Sequence, residues 1–219
     1  VLFINADREY KEGKNQNSLR PEDIEKITHV YRSKLDVEKY ARNVPVSELE
    51  EEDFNLNIRR YVDNSPPPEP HDVRAHLNGG IPKAEVELLE GFFANYDGLK
   101  DQLFAERDET YCDFTSVIES KDSIKSNIEN APCTQAKHAE FHQAITSWWN
   151  KHVGQIETLP DTSNVFELRR EFLGTVSTAL TPQGILDVYK VRGAFADYMN
   201  TLDADFKSVA ASGWGPELI

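Results

Sequence analysis

The sequence predicts a mainly α protein in which a short α/β segment, residues 1–64, precedes a helical bundle. Three observations support this fold class. The chain opens with VLFINA at residues 1–6, a short apolar run that stops in charged residues, as is typical of a strand. The run NSPPPEPHD at residues 64–72 contains four prolines, which interrupt both helix and strand. Beyond it, apolar residues recur at helical spacing almost to the C-terminus.

The segment before the prolines alternates short elements. KEGKNQNS at residues 11–18 has the composition of a loop, and RPEDIEKITHVYRSK predicts a helix with Pro21 in its first turn. Glu22 and Asp23 then favour the helix N-terminus electrostatically, and Ile24, Ile27, Val30 and Tyr31 form one apolar stripe. Residues 37–63 predict a short strand, an acidic helical turn after Ser47 and an extended stretch, FNLNIRRYV.

The segment after the prolines predicts helices at 83–107, 114–129, 135–153, 164–180 and 184–210. Asn164 is expected to cap the fourth, and SGWG at residues 212–215 to end the last. We therefore predict three parts: residues 1–64 as an α/β domain segment, 65–82 as a proline-rich linker and 83–219 as a helical C-terminal domain.

Composition indicates a globular protein of 219 residues, 39% of them hydrophobic. No stretch approaches the length of a membrane span, the first residues lack a signal peptide, and two cysteines predict reduced thiols, so we expect a cytoplasmic protein. The net charge is −14, and residues after 64 carry 24 acidic against 13 basic side chains. Since affinity for DNA comes largely from Lys and Arg on phosphates, this helical part is not expected to bind duplex DNA by itself.

Two motifs come close to catalytic patterns and are read as structural. Ser65-Pro66-Pro67 supplies three positions of the [Asp/Asn/Ser]-Pro-Pro-aromatic motif of amino-methylating DNA enzymes, but Pro68 has no ring face to stack on a flipped base. A linker is the preferred interpretation.

His138 and His142 stand at i and i+4, the spacing of a helical zinc site, but no third ligand is evident. We predict no metal and regard a metal-dependent hydrolase as the remotest alternative. Cys112 and Cys133 have no partner that would indicate a nucleophile, so we predict that both are inert.

The stretch NLNIRRYVD at residues 55–63 is the strongest candidate for a contact. It combines asparagines, two arginines and a tyrosine, which suit a backbone phosphate or a partner's carboxylates, although an edge strand with solvated arginines explains it equally well. The candidate residues for DNA or partner contact are Lys11, Lys14, Asn57, Arg59, Arg60 and Tyr61.

Several of these residues also carry a resemblance to a known family. Leu2-Phe3-Ile4-Asn5-Ala6, Lys14-Asn15-Gln16-Asn17, the pair Ile24 and Ile27, and Leu56-Asn57 with Arg60-Tyr61 resemble the stretch that closes the methyltransferase domain of the modification (M) subunit of type I restriction-modification systems. These subunits are N6-adenine DNA methyltransferases of the Hsd type. The resemblance is dense over residues 1–63, and residues 184–219 are similar to the C-terminal helix of the longer M subunits.

The resemblance implies a methyl transfer from S-adenosylmethionine to the N6 amino group of a flipped adenine. It also implies that the glycine loop and the Asn-Pro-Pro-Phe motif for this chemistry lie upstream, and neither occurs in this chain. We therefore expect a distal portion without catalytic or cofactor-binding residues, inactive alone, and no bound S-adenosylmethionine. The implied partners are the specificity (S) subunit, a second M subunit, the restriction subunit and, through the assembled complex, double-stranded DNA.

A second interpretation assigns the chain to a different class of protein. The chain would then be a stand-alone acidic helical interaction module without enzymatic activity, whose first strand is completed by another chain.

Overall fold

A computed structural model describes residues 1–65 and 72–215 and confirms the mainly α class. Two compact units divide the chain. The first comprises Val1–Pro67, Trp148–Pro182 and Leu186–Ile219, and the second comprises Pro68–Ser147 and Gln183–Ile185. None of the helices within the described ranges has both the length and the apolar character needed to cross a bilayer.

The α-helices are α1 Pro21–Ser33, α2 Val46–Glu51, α3 Val73–Asn78, α4 Lys83–Glu87, α5 Glu90–Phe93, α6 Leu99–Leu103, α7 Ser123–Asn130, α8 Pro132–His152, α9 Gly154–Glu157, α10 Leu159–Thr162, α11 Val165–Leu180, α12 Val188–Thr201 and α13 Asp203–Ser212. Two 3₁₀ turns cover Ile58–Arg60 and Thr181–Gln183. The strands are β1 Leu2–Ile4, β2 Ala41–Asn43, β3 Ile81–Pro82, β4 Phe104–Glu106 and β5 Tyr111–Phe114.

The first strand and first helix form where the sequence predicts them. β1 pairs antiparallel with β2, and Phe3 lies opposite Arg42. Phe3 stacks on Tyr61 with ring centroids 4.4 Å apart, within an apolar cluster that also contains Val44, Leu49 and Val62. Pro21 occupies the first turn of α1, where its missing N–H costs no hydrogen bond. The N-terminal segment therefore has a small apolar core of its own.

The predicted helix at 83–107 is replaced by three short helices and strand β4. Gly98, with φ of 75°, interrupts the helical path before α6, and residues 104–106 pair antiparallel with β5. β5 also pairs with β3, so the three strands form a sheet in the order β3-β5-β4. Because residues 111–114 are in this sheet, the predicted helix at 114–129 begins only at Ser123. Pairing of β5 with β4 and β3 outweighs the helical spacing of the apolar residues here.

The later helices follow the predictions more closely. α8 and α11 cover most of the predicted ranges, and the Asn164 side chain accepts a hydrogen bond from the backbone N–H of Glu167 at 3.1 Å, as expected of a cap. The predicted helix at 184–210 is two helices, with a break at Leu202 between α12 and α13. Gly213, with φ of 77°, ends α13.

Each compact unit combines segments that are separated in the sequence, whereas the predicted parts are consecutive. Helices α11 to α13 belong to the same unit as the N-terminal segment, because α1 packs along α12. In the predicted linker, residues 66–71 lie outside the described residues, and the remainder contains α3 and β3. α12 packs against the side of α1 that carries Glu22, Glu25 and His29. Ile24 and Tyr31 of the predicted apolar stripe are instead more than half exposed.

Candidate functional site

The candidate stretch at residues 55–63 follows helix α2 and lies in the first unit. α2 ends in a Schellman arrangement: the N–H of Phe54 donates to the Leu49 carbonyl at 2.7 Å, and the N–H of Asp53 donates to the Glu50 carbonyl at 3.1 Å. Residues 58–60 then form a 3₁₀ turn, so the extended conformation predicted for this stretch is wrong over the turn. We call residues 53–60 the 53–60 loop.

Two of the predicted contact residues hold this loop in place. The Asn57 side chain caps the 3₁₀ turn by accepting a hydrogen bond from the N–H of Arg59 at 3.2 Å. The Tyr61 hydroxyl donates to the Asn55 carbonyl at 2.6 Å, and its ring is buried against Phe3. Both side chains therefore have structural partners inside the chain.

The four basic candidates are all exposed. Arg60 forms an ion pair with Glu52, and the guanidinium of Arg59, three-quarters exposed, approaches the Asp7 carboxylate at 3.4 Å. Lys11 and Lys14 lie in the loop after β1, which a pair of backbone hydrogen bonds between Lys11 and Ser18 closes. The structure thus brings Arg59 to the region after β1, and a contact role for these residues stays a prediction.

Polar residues that the sequence analysis did not select connect β1 to the end of the candidate stretch. Asn5 is buried, and its side-chain amide donates to the Val62 carbonyl at 3.0 Å. The Asn64 amide donates to the Asp7 carboxylate, which holds the pKa of Asp7 below its ordinary value, and Arg59 adds to this effect. Of these residues, only Asn5 could have been selected from the sequence, because it is the one polar side chain within the apolar run at residues 1–6.

Helices α1 and α12 make an unusually close contact in the same unit. A Cβ atom on Gly193 would lie 2.3 Å from the Glu22 Cα, so only glycine permits this approach. Next to it, the Arg192 guanidinium pairs with the Glu25 carboxylate at 3.2 Å, and both side chains are largely buried. The contact therefore couples the N-terminal segment to the C-terminal helices by shape and by charge.

The histidine pair lies on the exposed face of α8 in the second unit. The Nε2 atoms of His138 and His142 are 3.1 Å apart. Across the described ranges, no group of three or more His, Cys, Asp or Glu side chains is arranged to hold a metal ion. Cys112 and Cys133 are free, half-buried thiols.

The second unit also contains an open apolar groove of about 550 Å³. It is lined by Ile81, Glu85, Val86, Leu88, Leu89, Phe104 and Phe114. Leu88 is 74% exposed, and Phe92, four residues further along the chain, is 70% exposed, so two large apolar side chains of this part of the chain face solvent.

Comparison with known proteins identifies the N-terminal segment. Residues 1–69 match the model of the N-6 DNA Methylase family. The resemblance predicted from the sequence is thereby confirmed for these residues.

The chain is similar to methylase subunits of type I restriction enzymes. It is 35% identical to the MjaVII methylase subunit of Methanocaldococcus jannaschii over 104 residues, which cover 45% of this chain and 18% of the relative. It is 41% identical to the MjaVIII methylase subunit of the same organism over 96 residues, 42% of this chain and 16% of the relative. The MpnII methylase subunit of Mycoplasma pneumoniae is 30% identical over 81 residues, 37% of this chain and 15% of the relative. No solved structure matches the chain at a comparable level of significance.

The described residues of the N-terminal segment contain no glycine loop of the kind that the resemblance implies for S-adenosylmethionine. Gly13 is the single glycine among residues 1–65, and it lies in the loop after β1 with the Gln16 carbonyl packed against it. No step of a methyl transfer is therefore assigned to these residues.

Proposed function

We propose that this chain is part of the modification subunit of a type I restriction-modification system. The whole protein would transfer a methyl group from S-adenosylmethionine to adenine N6 in DNA, and this portion would serve in assembly with the specificity subunit or a second modification subunit. The restriction subunit and double-stranded DNA would join through the complete complex. The observation that carries the proposal is the family match over residues 1–69, together with relatives named as type I methylase subunits.

The internal structure of the matched segment supports an assembly role. Asn57 and Tyr61 are occupied in holding the 53–60 loop, and Asn5 joins β1 to Val62. These residues stabilise a scaffold, and the charge of −14 opposes direct binding of the chain to duplex DNA. Arg59 and Arg60 are paired with Asp7 and Glu52, so among the candidate residues Lys11 and Lys14 are the ones from which a phosphate contact would come.

The test is adenine methylation in cells. The full-length protein that contains this chain is expressed with its specificity subunit in a host whose DNA lacks N6-methyladenine. Single-molecule sequencing should then detect N6-methyladenine at one recurring site, and omission of the specificity subunit should abolish it. Unmethylated DNA despite a co-purifying pair would contradict the proposal. The chain of 219 residues alone should not bind S-adenosylmethionine in a calorimetric titration.

A second candidate function is an acidic interaction module without enzymatic activity. The apolar groove of the second unit favours it, since exposed Leu88 and Phe92 mark a surface for a protein partner. The two candidates differ in the same experiment, because a module of this kind would produce no N6-methyladenine with any subunit.

A further inference from the structure

We propose that the 53–60 loop is a docking element, whose exposed Phe54 and Leu56 insert into an apolar protein surface bordered by Lys and Arg. The inference rests on the proposed function, in which that surface belongs to the specificity subunit.

The loop presents two large apolar side chains to solvent at neighbouring positions. Phe54 is 59% exposed and Leu56 is 63% exposed, whereas Leu49, Tyr61 and Val62 on either side of them in the chain are buried. Phenylalanine is among the residue types enriched in protein interfaces, and Leu56 adds to the apolar surface that a partner would bury. The small core beneath the loop is complete without these two residues.

The backbone of the loop is held in a conformation that the helix end does not require. The Schellman arrangement needs a left-handed residue only at Asp53, where φ is 52°. Phe54 nevertheless also has a positive φ, 55°, which an aromatic residue rarely adopts. Backbone strain of this kind is retained mostly at functional sites.

Local hydrogen bonds fix the loop before any partner binds. The Tyr61 hydroxyl donates to the Asn55 carbonyl at 2.6 Å, and the N–H of Asn57 donates to the Asn55 side chain at 3.0 Å. Arg60 pairs with Glu52 across the loop. Because the loop is already ordered, docking loses little conformational entropy.

The charges around the loop select the class of partner. The acidic run at residues 48–53 ends at Phe54; within it, Glu48 pairs with Arg42 and Glu52 pairs with Arg60. Among the described residues, Glu50, Glu51 and Asp53 have no salt-bridge partner, and all three are exposed. Arg59, the other cation of the loop, is paired with Asp7, so the local charge stays negative and repels DNA phosphates. A second copy of a chain at −14 is disfavoured for the same reason. An apolar protein surface with a basic border is complementary to both features.

The test measures the affinity of the full-length protein for its specificity subunit by isothermal titration calorimetry. The variant Phe54→Ser/Leu56→Ser should bind at least about tenfold more weakly than the wild type, as expected for the loss of interface anchors. Phe166→Ser is the matched control, because Phe166 is 69% exposed on α11 in the same unit, and its affinity should stay within about twofold of wild type. A separate charge variant, Glu50→Lys/Glu51→Lys, should also bind more weakly and with a smaller dependence on salt.

The outcomes separate this inference from the proposed function. Unchanged affinity in the serine variant, with adenine methylation intact in cells, would overturn the docking assignment and leave the proposed function standing. A wild-type pair that neither associates nor methylates adenine would overturn both. If the serine variant loses its circular dichroism spectrum, the charge variant decides, and unchanged affinity there overturns the docking assignment.

Discussion

At the scale of single residues, Asp23 stabilises the start of α1 more than the polar sequence around it indicates. It is 2% exposed, and its carboxylate accepts hydrogen bonds from the backbone N–H and the guanidinium of Arg20 at 2.7 to 3.0 Å. Arg20 holds the pKa of Asp23 below its ordinary value. The sequence predicted only a favourable charge in the first turn of α1, since burial of the carboxylate depends on the packing around it.

The substitution Asp23→Ala should lower the free energy of unfolding by about 1.5–3 kcal/mol, because charge-assisted hydrogen bonds at the start of α1 are lost. Urea denaturation monitored by circular dichroism measures the change. Glu22→Ala is the control: its 3.2 Å ion pair with Arg20 is partly solvated, so the change should be within about 1 kcal/mol. Equal effects of the two substitutions would contradict this role of Asp23.

A substitution at Asp53 is expected to stabilise the protein, in contrast to one at Asp23. Its φ of 52° lies in the left-handed region at the end of α2, where glycine is the preferred residue. Asp53→Gly should therefore raise the free energy of unfolding by about 0.5–1 kcal/mol. Asp53→Ala retains a Cβ atom and should bring no such gain. Chemical denaturation of the two variants in parallel tests this, and equal stabilities would refute the strain.

The candidate site shows the limit of sequence interpretation at this scale. Asn57, Arg59, Arg60 and Tyr61 share the composition of a contact surface, but hydrogen bonds inside the loop use Asn57 and Tyr61, and Glu52 pairs with Arg60. The polar link from Asn5 to Val62 joins residues far apart in sequence. Such pairings depend on the tertiary fold and leave no local pattern.

At the scale of elements, the contact of α1 with α12 depends on Gly193. A methyl group there would collide with the Glu22 backbone at 2.3 to 2.5 Å and force the helices apart. Gly193→Ala should therefore destabilise the protein by about 1–3 kcal/mol, as overpacking does. Thermal unfolding is the measurement.

Gly174→Ala is the matched control, because Gly174 lies inside α11 and a Cβ atom added there would have no neighbouring atom within 4 Å. There the added methyl group should stabilise the protein by about 0.5–1 kcal/mol, since alanine favours a helix interior. The same sign for both substitutions would show that helix propensity, and not the close approach, governs Gly193.

His29 on α1 should make this contact sensitive to pH. Burial lowers the pKa of His29 from its ordinary value of 6.5, and the charge of Arg192 lowers it further. The unfolded chain then binds the proton more readily than the folded one, so the stabilisation is complete above about pH 6.5 and is lost as pH falls through the lower, folded pKa.

Urea denaturation between about pH 7.5 and 5 should therefore show a falling free energy of unfolding. The fall should be smaller in His29→Gln, which does not titrate. A wild-type curve and a variant curve of equal slope would exclude His29 as the source.

Helices with one continuous apolar stripe, such as α1, were predicted nearly to their ends. The prediction failed at 83–107, where the apolar spacing is helical but Gly98 adopts a positive φ and residues 104–106 pair with 111–114. Helical spacing and strand pairing compete for residues 104–106. The pairing prevails, and its partner strand lies outside residues 83–107, where the helical spacing was found.

At the scale of the whole molecule, charge is the property that the sequence predicts most directly. A net charge of −14 opposes compaction through self-repulsion, which salt screens. The melting temperature should therefore rise when NaCl is increased from about 0.02 to 0.5 M. The variant Glu50→Lys/Glu51→Lys has a smaller net negative charge and should show a smaller rise. A melting temperature that falls with salt would indicate that the ion pairs outweigh the repulsion.

The mainly α class and the similarity of the first 69 residues to the N-6 DNA Methylase family were both predicted correctly from the sequence. The grouping of the helices into compact units was not predicted, because no local pattern in the sequence indicates which later helix packs against α1. Contacts between segments more than a hundred residues apart, such as Glu25 with Arg192, have no signature in a single sequence.

The fit of Gly193 against Glu22 has a consequence for how such genes can recombine. A crossover that exchanged the 3′ end of the gene for that of a homologue with a larger residue in place of Gly193 would leave α1 without a matching neighbour. Productive exchanges are expected to replace only a segment inside the coding region of the second unit, so that α1 and α12 keep the same origin. The other productive kind would transfer the coding regions of α1 and α12 together.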